Sequence, residues 1–184
     1  ETPNGAIIYV RNGDRMNLTT PGARIYRTVI DSGGVLSIDE NASNTRLGIV
    51  QGTGTLRIES NTIGQSPQLP AGYYEDFLNC TGGGLEYSGS VDYDVLANIP
   101  QVRRVIFSGS ANRDLPNTNL LVCEDFILRN NVSVANISNQ QITIWRDIIK
   151  GDNATIDFST STVLLSGGSS SQQIVGDFTG GEAF

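Results

Sequence analysis

The chain contains the stretch GVLSID at residues 34–39, and this stretch returns twenty residues later as GTLRIE at residues 54–59. Both copies begin with glycine and place leucine and isoleucine two residues apart, with a polar residue between them. That alternation is typical of a β-strand with one face inward and one face in solvent. A fixed period of this length is typical of proteins built from stacked repeats.

A second pair of segments repeats at the same spacing. LEYSGS at residues 85–90 aligns with VIFSGS at residues 105–110, and VLLSG at residues 163–167 is a weaker echo. The apolar pairs Val29-Ile30 and Ile49-Val50 also keep the offset. One repeat cannot bury its own apolar side, whereas stacked copies bury a continuous core. We therefore predict an all-β fold, a parallel β-solenoid (β-helix) with coils of about 20 residues.

The alternative fold is an antiparallel β-sandwich, which also consists of short strands with frequent turns. Strands of a sandwich have no reason to repeat sequence, so two independent pairs at one offset favour the solenoid. With strands about 4.8 Å apart, about nine coils would make a rod roughly 43 Å long.

The composition agrees with a β-rich protein. Of the 184 residues, 21 are Gly, 16 Asn, 17 Ser and 15 Thr, all of them small polar or turn-forming types. Ile and Val together number 31, against 9 Ala. Since β-branched residues favour strands, this balance argues against a helical protein.

The charge of the chain bears on its partners. The net charge is -7, and the 12 basic residues are spread thinly along the sequence. We therefore expect no basic face that could neutralise phosphates, and no nucleic-acid partner. No apolar run approaches the roughly 20 residues of a membrane-spanning helix, so we expect a chain that does not span a membrane.

Two smaller features leave alternatives open. Cys80 and Cys123 suit either one disulfide or two buried thiols, and of these we favour the thiols. Asn41 and Asn61 keep the offset of the first repeat. They could form a ladder of amides along the stack, but a left-handed turn backbone is the interpretation that we prefer.

The repeats predict a single solenoid module over residues 1–184. Because the first residue is Glu1 rather than Met, we expect a processed or excised segment. Residues 64–84 contain two prolines and a triplet of glycines, which predict a loop excursion from the solenoid. This loop carries Tyr73 and Tyr74, which are candidates for stacking on a sugar or a partner protein.

The absence of histidine limits the chemistry. It removes Ser-His-Asp and Cys-His catalysis and the usual imidazole metal sites, and we expect no metal and no cofactor. The best acidic pair is Asp92 and Asp94, whose spacing places both carboxylates on one face of a strand. Such a pair could act as general acid and base or hold Ca²⁺, but the interpretation that we prefer is a solvated outer face with Tyr93 pointing inward or flanking a turn. The candidates for ligand binding are therefore Tyr73, Tyr74, Asp92, Asp94 and Arg103.

Several segments resemble the repeats of large secreted cell-surface adhesins of Bacteroidota. The likeness is carried by VIFSGSANRDL at residues 105–115, then FIL at 126–128 and VSV at 132–134, with further copies at residues 83–89 and 154–174, and it covers most of residues 46 to 176. The resemblance implies a cell-surface adhesin or gliding-motility-type protein exported through the type IX secretion pathway, with this chain as a fragment of that larger surface protein.

These observations predict a non-enzymatic structural and adhesive module on the bacterial cell surface, acting as a stiff spacer and contact surface. The expected partners are neighbouring domains of the same chain, an outer-membrane or surface protein, or a surface polysaccharide. The rival hypothesis is a carbohydrate-binding or carbohydrate-cleaving β-helix that uses Asp92, Asp94, Arg103 and the Tyr73-Tyr74 loop.

Overall fold

A computed structural model describes residues 5–42, 44–64, 68–95, 99–129, 131–135, 140–167 and 171–178. The described residues form twenty β-strands. In chain order these are β1 (Ala6–Val10), β2 (Arg15–Leu18), β3 (Ile25–Ile30), β4 (Val35–Ile38), β5 (Arg46–Gly52), β6 (Thr55–Ser60), β7 (Ala71–Tyr73), β8 (Gly84–Gly89), β9 (Tyr93–Asp94), β10 (Gln101–Val102), β11 (Arg104–Phe107), β12 (Asn112–Asp114), β13 (Leu120–Val122), β14 (Phe126–Leu128), β15 (Ser133–Ala135), β16 (Gln141–Ile144), β17 (Ile148–Lys150), β18 (Thr155–Asp157), β19 (Thr162–Leu165) and β20 (Ile174–Val175).

The strands form four parallel sheets that wind into a β-solenoid of about 7 turns, with coils of about 21 residues. Sheet A has the order β1-β3-β5-β7, sheet C the order β18-β15-β12-β9 and sheet D the order β10-β13-β16-β19. Sheet B contains eight strands in the order β2-β4-β6-β8-β11-β14-β17-β20. The predicted parallel solenoid is confirmed, because an antiparallel sandwich would not pair its strands in this way.

The cross-section of the solenoid changes along its axis. In the first coils each turn contributes one strand to sheet A and one to sheet B, whereas later turns contribute one strand each to sheets D, B and C. Sheet B is the sheet that runs through both parts. In the described part of the chain, no helix has the length and apolarity that crossing a bilayer requires.

The register of sheet B confirms both of the main sequence repeats. Leu36 pairs with Leu56, and Leu85 pairs with Val105. Gly89 and Gly109 of the two Ser-Gly-Ser turns lie on each other with φ angles of 117° and 96°. A Cβ on Gly109 would lie 2.1 Å from the carbonyl oxygen of Gly89. The repeated glycine is therefore required by a left-handed backbone and by the stacking of the coils.

The predicted offset of 20 between Val29-Ile30 and Ile49-Val50 is wrong. In sheet A, Val29 pairs with Gln51 and Ile30 with Gly52, an offset of 22. Ten residues separate Ile38 from Ile49, against eight between their partners Leu18 and Arg27. Two residues separate Gly52 from Thr55, against four between their partners Ile30 and Val35. One turn of this coil is longer by two residues and the next is shorter by two, so the offset returns to 20 in sheet B.

The weaker echo at residues 163–167 also lies elsewhere than predicted. As a copy of residues 105–109 it would belong to sheet B, but β19 pairs with β16 in sheet D, with Val163 opposite Ile142. A short apolar strand followed by Ser-Gly fits either sheet, so the sequence likeness does not determine the face.

The core lies inside the coils and includes a column of aromatic rings. Ring centroids are 5.8 Å apart between Tyr87 and Phe107, 5.2 Å between Phe107 and Phe126, and 6.1 Å between Phe126 and Phe158. The alternation within strands follows the prediction, since Leu56 and Ile58 are buried around the half-exposed Arg57. Each coil thus contributes apolar area to a continuous interior.

The segment 64–84 belongs partly to the solenoid. Its strand β7 is the last strand of sheet A, and the Phe77 ring is fully buried against Gly83. Residues 65–67 lie outside the described residues. Because Thr55 and Gly84 pair across 29 residues, this segment takes up chain that would otherwise form coils. The solenoid consequently has about 7 turns rather than nine.

Cys80 and Cys123 form a disulfide with a Cα–Cα distance of 5.2 Å, so our preference for two thiols is wrong. Cys80 precedes β8, whereas Cys123 follows β13 and its amide donates to the carbonyl oxygen of Val102. By strand order, Cys80 lies in the segment that leads into β8 and Cys123 in the turn between β13 and β14, so the bond links segments about two coils apart along the chain. The two cysteines are 43 residues apart in the sequence, and no sequence pattern indicated that they lie close together.

Both interpretations of the asparagine pair are wrong. Among the described residues other than glycine, only Asn44 and Ser159 have a positive φ angle, so Asn41 and Asn61 do not adopt the left-handed backbone. The Asn61 side chain accepts hydrogen bonds from Ser90 and donates one to Glu59. It thus bonds to residues of other types rather than to an amide ladder.

Candidate functional site

A groove of about 500 Å³ lies on the outer surface of sheet A. It crosses strands β3, β5 and β7, so three successive coils contribute to it. The side chains that matter here are those of Tyr26, Arg46, Ile49 and Tyr73, over a floor that contains Gly48 and Gly72. Since the groove runs across strands, its length follows the solenoid axis.

The glycine floor is a consequence of the register. Gly48 pairs with Gly72, so two neighbouring coils have no side chain at this position. Gly48 has a φ angle of 62°, and a Cβ there would lie 1.9 Å from the carbonyl oxygen of Tyr26. Only glycine therefore fits at position 48, and the bare floor leaves room between the flanking side chains.

Two ladders of paired residues contribute to the groove, which Ile49 and Tyr73 line from one ladder and Arg46 from the other. One ladder runs from Ile7 through Arg27 and Ile49 to Tyr73. Tyr73 is 75% exposed and Ile7 48%, although both are large apolar or aromatic side chains. An exposed aromatic and aliphatic row of this kind is a surface suited to contact with a ligand or partner.

The second ladder brings two arginines together. Arg24 and Arg46 pair directly across neighbouring coils, and both side chains are exposed. Within the described residues, neither of them, nor Arg27, forms an ion pair. Strands β1, β3, β5 and β7 contain no Asp or Glu at all. Sheet A therefore carries three arginines on a chain whose net charge is -7, and its acidic neighbour is Asp76, which accepts a hydrogen bond from the Gln51 side chain of β5 at 2.8 Å.

The expectation of no basic face is thus wrong. The arginines are far apart in sequence, but the coil spacing places Arg24, Arg27 and Arg46 on one sheet. The signal that could have revealed them is the 22-residue offset of sheet A, which joins Arg24 to Arg46 and Arg27 to Ile49. The same offset would have pointed to Tyr26, which the sequence analysis also missed.

The two candidate tyrosines lie in different environments. Tyr73 is exposed on β7 and lines the groove. The Tyr74 ring packs against the core, and its hydroxyl donates to the carbonyl oxygen of Pro70 at 2.6 Å. Burial raises the pKa of Tyr74 above its ordinary value. Of the pair, Tyr73 is thus the one that is free to contact a ligand.

Asp92 and Asp94 lie on the flank of β9 with Tyr93 buried between them. One oxygen of Asp92 accepts the backbone N–H of Asn112 at 2.8 Å. Asp94 pairs with Asp114 on the next coil. Burial, and then the charges of Asp94 and Asp92, raise the pKa of Asp114. Sheet C is therefore acidic where sheet A is basic.

Arg103 lies at the corner between β10 and β11, where its guanidinium is 2.8 Å from a Glu124 oxygen. Arg104 contacts the other oxygen of that carboxylate at 3.1 Å. Burial opposes ionisation of Glu124, but the hydrogen bonds and charges of the two arginines outweigh it and hold the pKa of Glu124 below its ordinary value. Arg103 is therefore engaged in a local ion pair beside the disulfide.

The structure does not gather the sequence candidates into one site. Tyr73 belongs to sheet A, Asp92 and Asp94 flank sheet C, and Arg103 lies at the edge of sheet D. Within the described ranges, no hydrogen bond or ion pair joins Arg103 to Asp92, Asp94 or Tyr73. In the same part of the chain, no group of three His, Cys, Asp or Glu residues is placed to hold a metal ion.

A second groove, of about 560 Å³, lies beside β14 and β17. Its charged residues are Arg129, Lys150 and Asp152. The Lys150 amine donates to the backbone carbonyl of Asp177 and lies 5.4 Å from the centre of the Phe178 ring. Because Lys150 holds the chain segment after β20 in place, we assign this groove a structural role.

Comparison with known proteins does not extend the structural findings. No protein-family model matches the chain. Searches of curated proteins and of solved structures also gave no match.

Proposed function

We propose that the chain is a non-enzymatic structural and adhesive module of an extracellular bacterial surface adhesin, acting as a stiff spacer with a contact surface. The observation that supports this most directly is sheet B, whose eight parallel strands form one uninterrupted ladder along the axis. Bending such a rod would open hydrogen bonds and aromatic contacts between several coils at once. With strands about 4.8 Å apart, the eight strands span about 34 Å.

The proposed cellular setting has two lines of support. The first is the likeness of the repeats to those of Bacteroidota adhesins, which motivates export by type IX secretion and a role in gliding motility or attachment. The second is the disulfide between Cys80 and Cys123, because such bonds persist in oxidising compartments such as the cell exterior. Neighbouring domains of the same chain and a surface protein or polysaccharide are the proposed partners.

The test replaces this segment within the parent protein. In cells that encode the chain, we would exchange residues 1–184 for an unrelated solenoid of equal length and, separately, delete them. We expect deletion to abolish attachment and the unrelated rod to restore only part of it, since length returns but the contact surface does not. Antibody labelling of intact cells is the control for export. Absence of the chain from the cell surface, or full attachment after deletion, would contradict the proposal.

A carbohydrate-active β-helix is the second candidate, and the groove on sheet A favours its binding form. The cleaving form would depend on Asp92 and Asp94, so it predicts that changing both to Asn abolishes glycan turnover. Retained turnover in that variant would remove these two residues as the acid and base.

A further inference from the structure

We propose that the groove on sheet A binds an anionic glycan, with the sugar rings on Tyr26 and Tyr73 and the acidic groups on Arg24 and Arg46. The proposal deepens the proposed function by naming a ligand class for the contact surface, and its biological setting rests on that function. Binding itself can be measured on the purified chain.

The arginine pair is the first argument. Like charges placed directly opposite on neighbouring strands destabilise a sheet, and Arg24 and Arg46 pair in this way without a carboxylate partner in the described residues. Four arginines outside sheet A do form ion pairs with carboxylates, as Arg57 does with Glu59 and Arg104 with Glu124. An external anion would relieve the repulsion in sheet A and form charge-assisted hydrogen bonds with both guanidinium groups.

The aromatic walls are the second argument. Tyr73 stands 75% exposed at one side of the groove and Tyr26 lies at the other, with the bare Gly48–Gly72 floor between them. The faces of tyrosine rings carry negative charge density and pack well against the C–H groups of a pyranose ring. Tyr9, 58% exposed on β1, extends the aromatic surface towards the first coil.

The repeat of the solenoid is the third argument. Neighbouring coils lie about 4.8 Å apart, which is comparable to the length of one sugar unit in an extended chain. A glycan lying across β3, β5 and β7 would therefore present successive units to successive coils. Such a match between ligand and scaffold allows many weak contacts along one polymer, and these combine into useful affinity.

Charge favours a glycan over nucleic acid and over a second copy of this chain. The basic face is limited to sheet A on a chain of net charge -7, which would repel a densely charged phosphate backbone beyond the groove. An acidic partner surface does exist on sheet C, where Asp94 and Asp114 are paired. Self-association between sheets A and C is therefore the alternative that the experiment must separate.

The experiment measures binding of the purified full chain to polygalacturonate, to chondroitin sulfate, to neutral dextran and to a single-stranded DNA of equal charge. We expect binding to an acidic glycan that weakens with added salt, and none to dextran. Arg46→Glu and Tyr73→Ala should each weaken binding by about tenfold or more. The matched controls, Arg129→Glu and Trp145→Ala, change an exposed arginine and an exposed aromatic outside the groove and should stay within about twofold.

Several outcomes would overturn the proposal. These are equal binding of dextran, tighter binding of the DNA, equal losses in the control variants, and failure to bind either acidic glycan. Sedimentation velocity tests the remaining alternative, which is self-association between sheets A and C. If the purified chain self-associates and Arg46→Glu abolishes this, the partner is a second copy of the chain. If the purified chain fails to bind while the segment exchange in cells still reduces attachment, the groove assignment alone is wrong. Binding by a chain that is absent from the cell surface would instead contradict the proposed function.

Discussion

At the scale of single residues, the buried guanidinium of Arg113 shows how the solenoid closes its turns. Arg113 is fully buried and donates to the carbonyl oxygens of Val91 and Gly89, each at 2.9 Å. Its guanidinium carbon also lies 4.2 Å from the centre of the Tyr93 ring. Carbonyl dipoles and an aromatic face compensate the charge here without a carboxylate, as a delocalised cation permits.

Replacing Arg113 by alanine should therefore destabilise the fold strongly. The buried carbonyl oxygens that it now satisfies would lose their donors, and we expect a loss of about 3 kcal/mol or more in the free energy of unfolding. Urea denaturation followed by circular dichroism measures it. The exposed Arg129, changed to alanine, is the control and should cost less than about 0.5 kcal/mol. Equal effects of the two variants would contradict the role assigned to Arg113.

Replacing Asp114 should stabilise the fold, in contrast to replacing Arg113, and the size of the gain should depend on pH. Its pKa is raised by burial and then by Asp94 and Asp92, so the ionised carboxylate costs stability once the pH exceeds the folded pKa. That cost is absent below the unfolded pKa. Asp114→Asn should thus stabilise the chain at pH 7 by about 1 kcal/mol or less, and the gain should disappear below about pH 4.

Thermal unfolding of Asp114→Asn at a series of pH values checks this prediction. The exposed Asp152, changed to Asn, provides the matched control and should show no pH-dependent gain. A stabilisation by Asp114→Asn that persists undiminished in acid would show that charge repulsion is not its cause.

At the scale of strands and turns, the sequence predicted sheet B well and sheet A poorly. Leu36 and Leu56 lie in the predicted register because the longer turn before β5 and the shorter turn after it add up to the same total length. Ile30 and Gly52 do not follow the period, since two turns of unequal length cancel within one coil. The sequence period depends only on the total length of the strands and turns in a coil. It therefore reveals the coils, but it does not reveal a lengthened turn and a shortened turn that cancel within one coil.

The shift of register in sheet A also explains why the sequence predicted only part of the candidate site. Tyr73 was a candidate from the sequence because it lies in a segment that breaks the repeat. Arg24 and Arg46 had no such signal, and they become neighbours only through the shifted register of sheet A. Candidates chosen by residue type, such as Asp92 and Arg103, instead bond to nearby backbone and side-chain groups.

The disulfide gives a prediction for this same scale. Cys80 and Cys123 are separated by 43 residues, and closing a loop of that length should stabilise the fold by about 4 kcal/mol. The variant Cys80→Ser/Cys123→Ser should lose this amount in urea denaturation. A reducing agent should lower the midpoint of the natural chain to that of the variant and leave the variant unchanged. A midpoint of the natural chain that does not respond to reduction would contradict the prediction.

At the scale of the whole molecule, the three-sheet part is a stack of nearly interchangeable coils. Phe126 pairs with Ile148, so residues 126–147 constitute one complete turn through sheets B, C and D. Each coil contacts mainly its two neighbours, and stability is roughly a sum over coils and the interfaces between them. Removal of one whole coil should consequently preserve the architecture.

Deleting residues 126–147 should yield a folded, shorter solenoid that keeps the disulfide and unfolds in one transition. Deleting residues 126–136 removes about half a coil and would place inward-facing residues on the outer surface, because the strand register would be lost. We expect that second variant to be unfolded or aggregated. Circular dichroism and gel filtration distinguish the two, and equal behaviour of both deletions would contradict the modular description.

The position of the disulfide also implies an order in which the coils and the bond form during folding. A parallel coil can form its ladder only on a coil that already exists, so a chain that enters an oxidising compartment from one end can fold turn by turn. Cys123 directly follows β13, so we expect the two cysteines to reach bonding distance once β13 has paired with β10. Closure of the bond therefore marks the completion of about two turns, because 43 residues separate the cysteines and each coil has about 21. Until then both thiols stay open to disulfide-exchange enzymes.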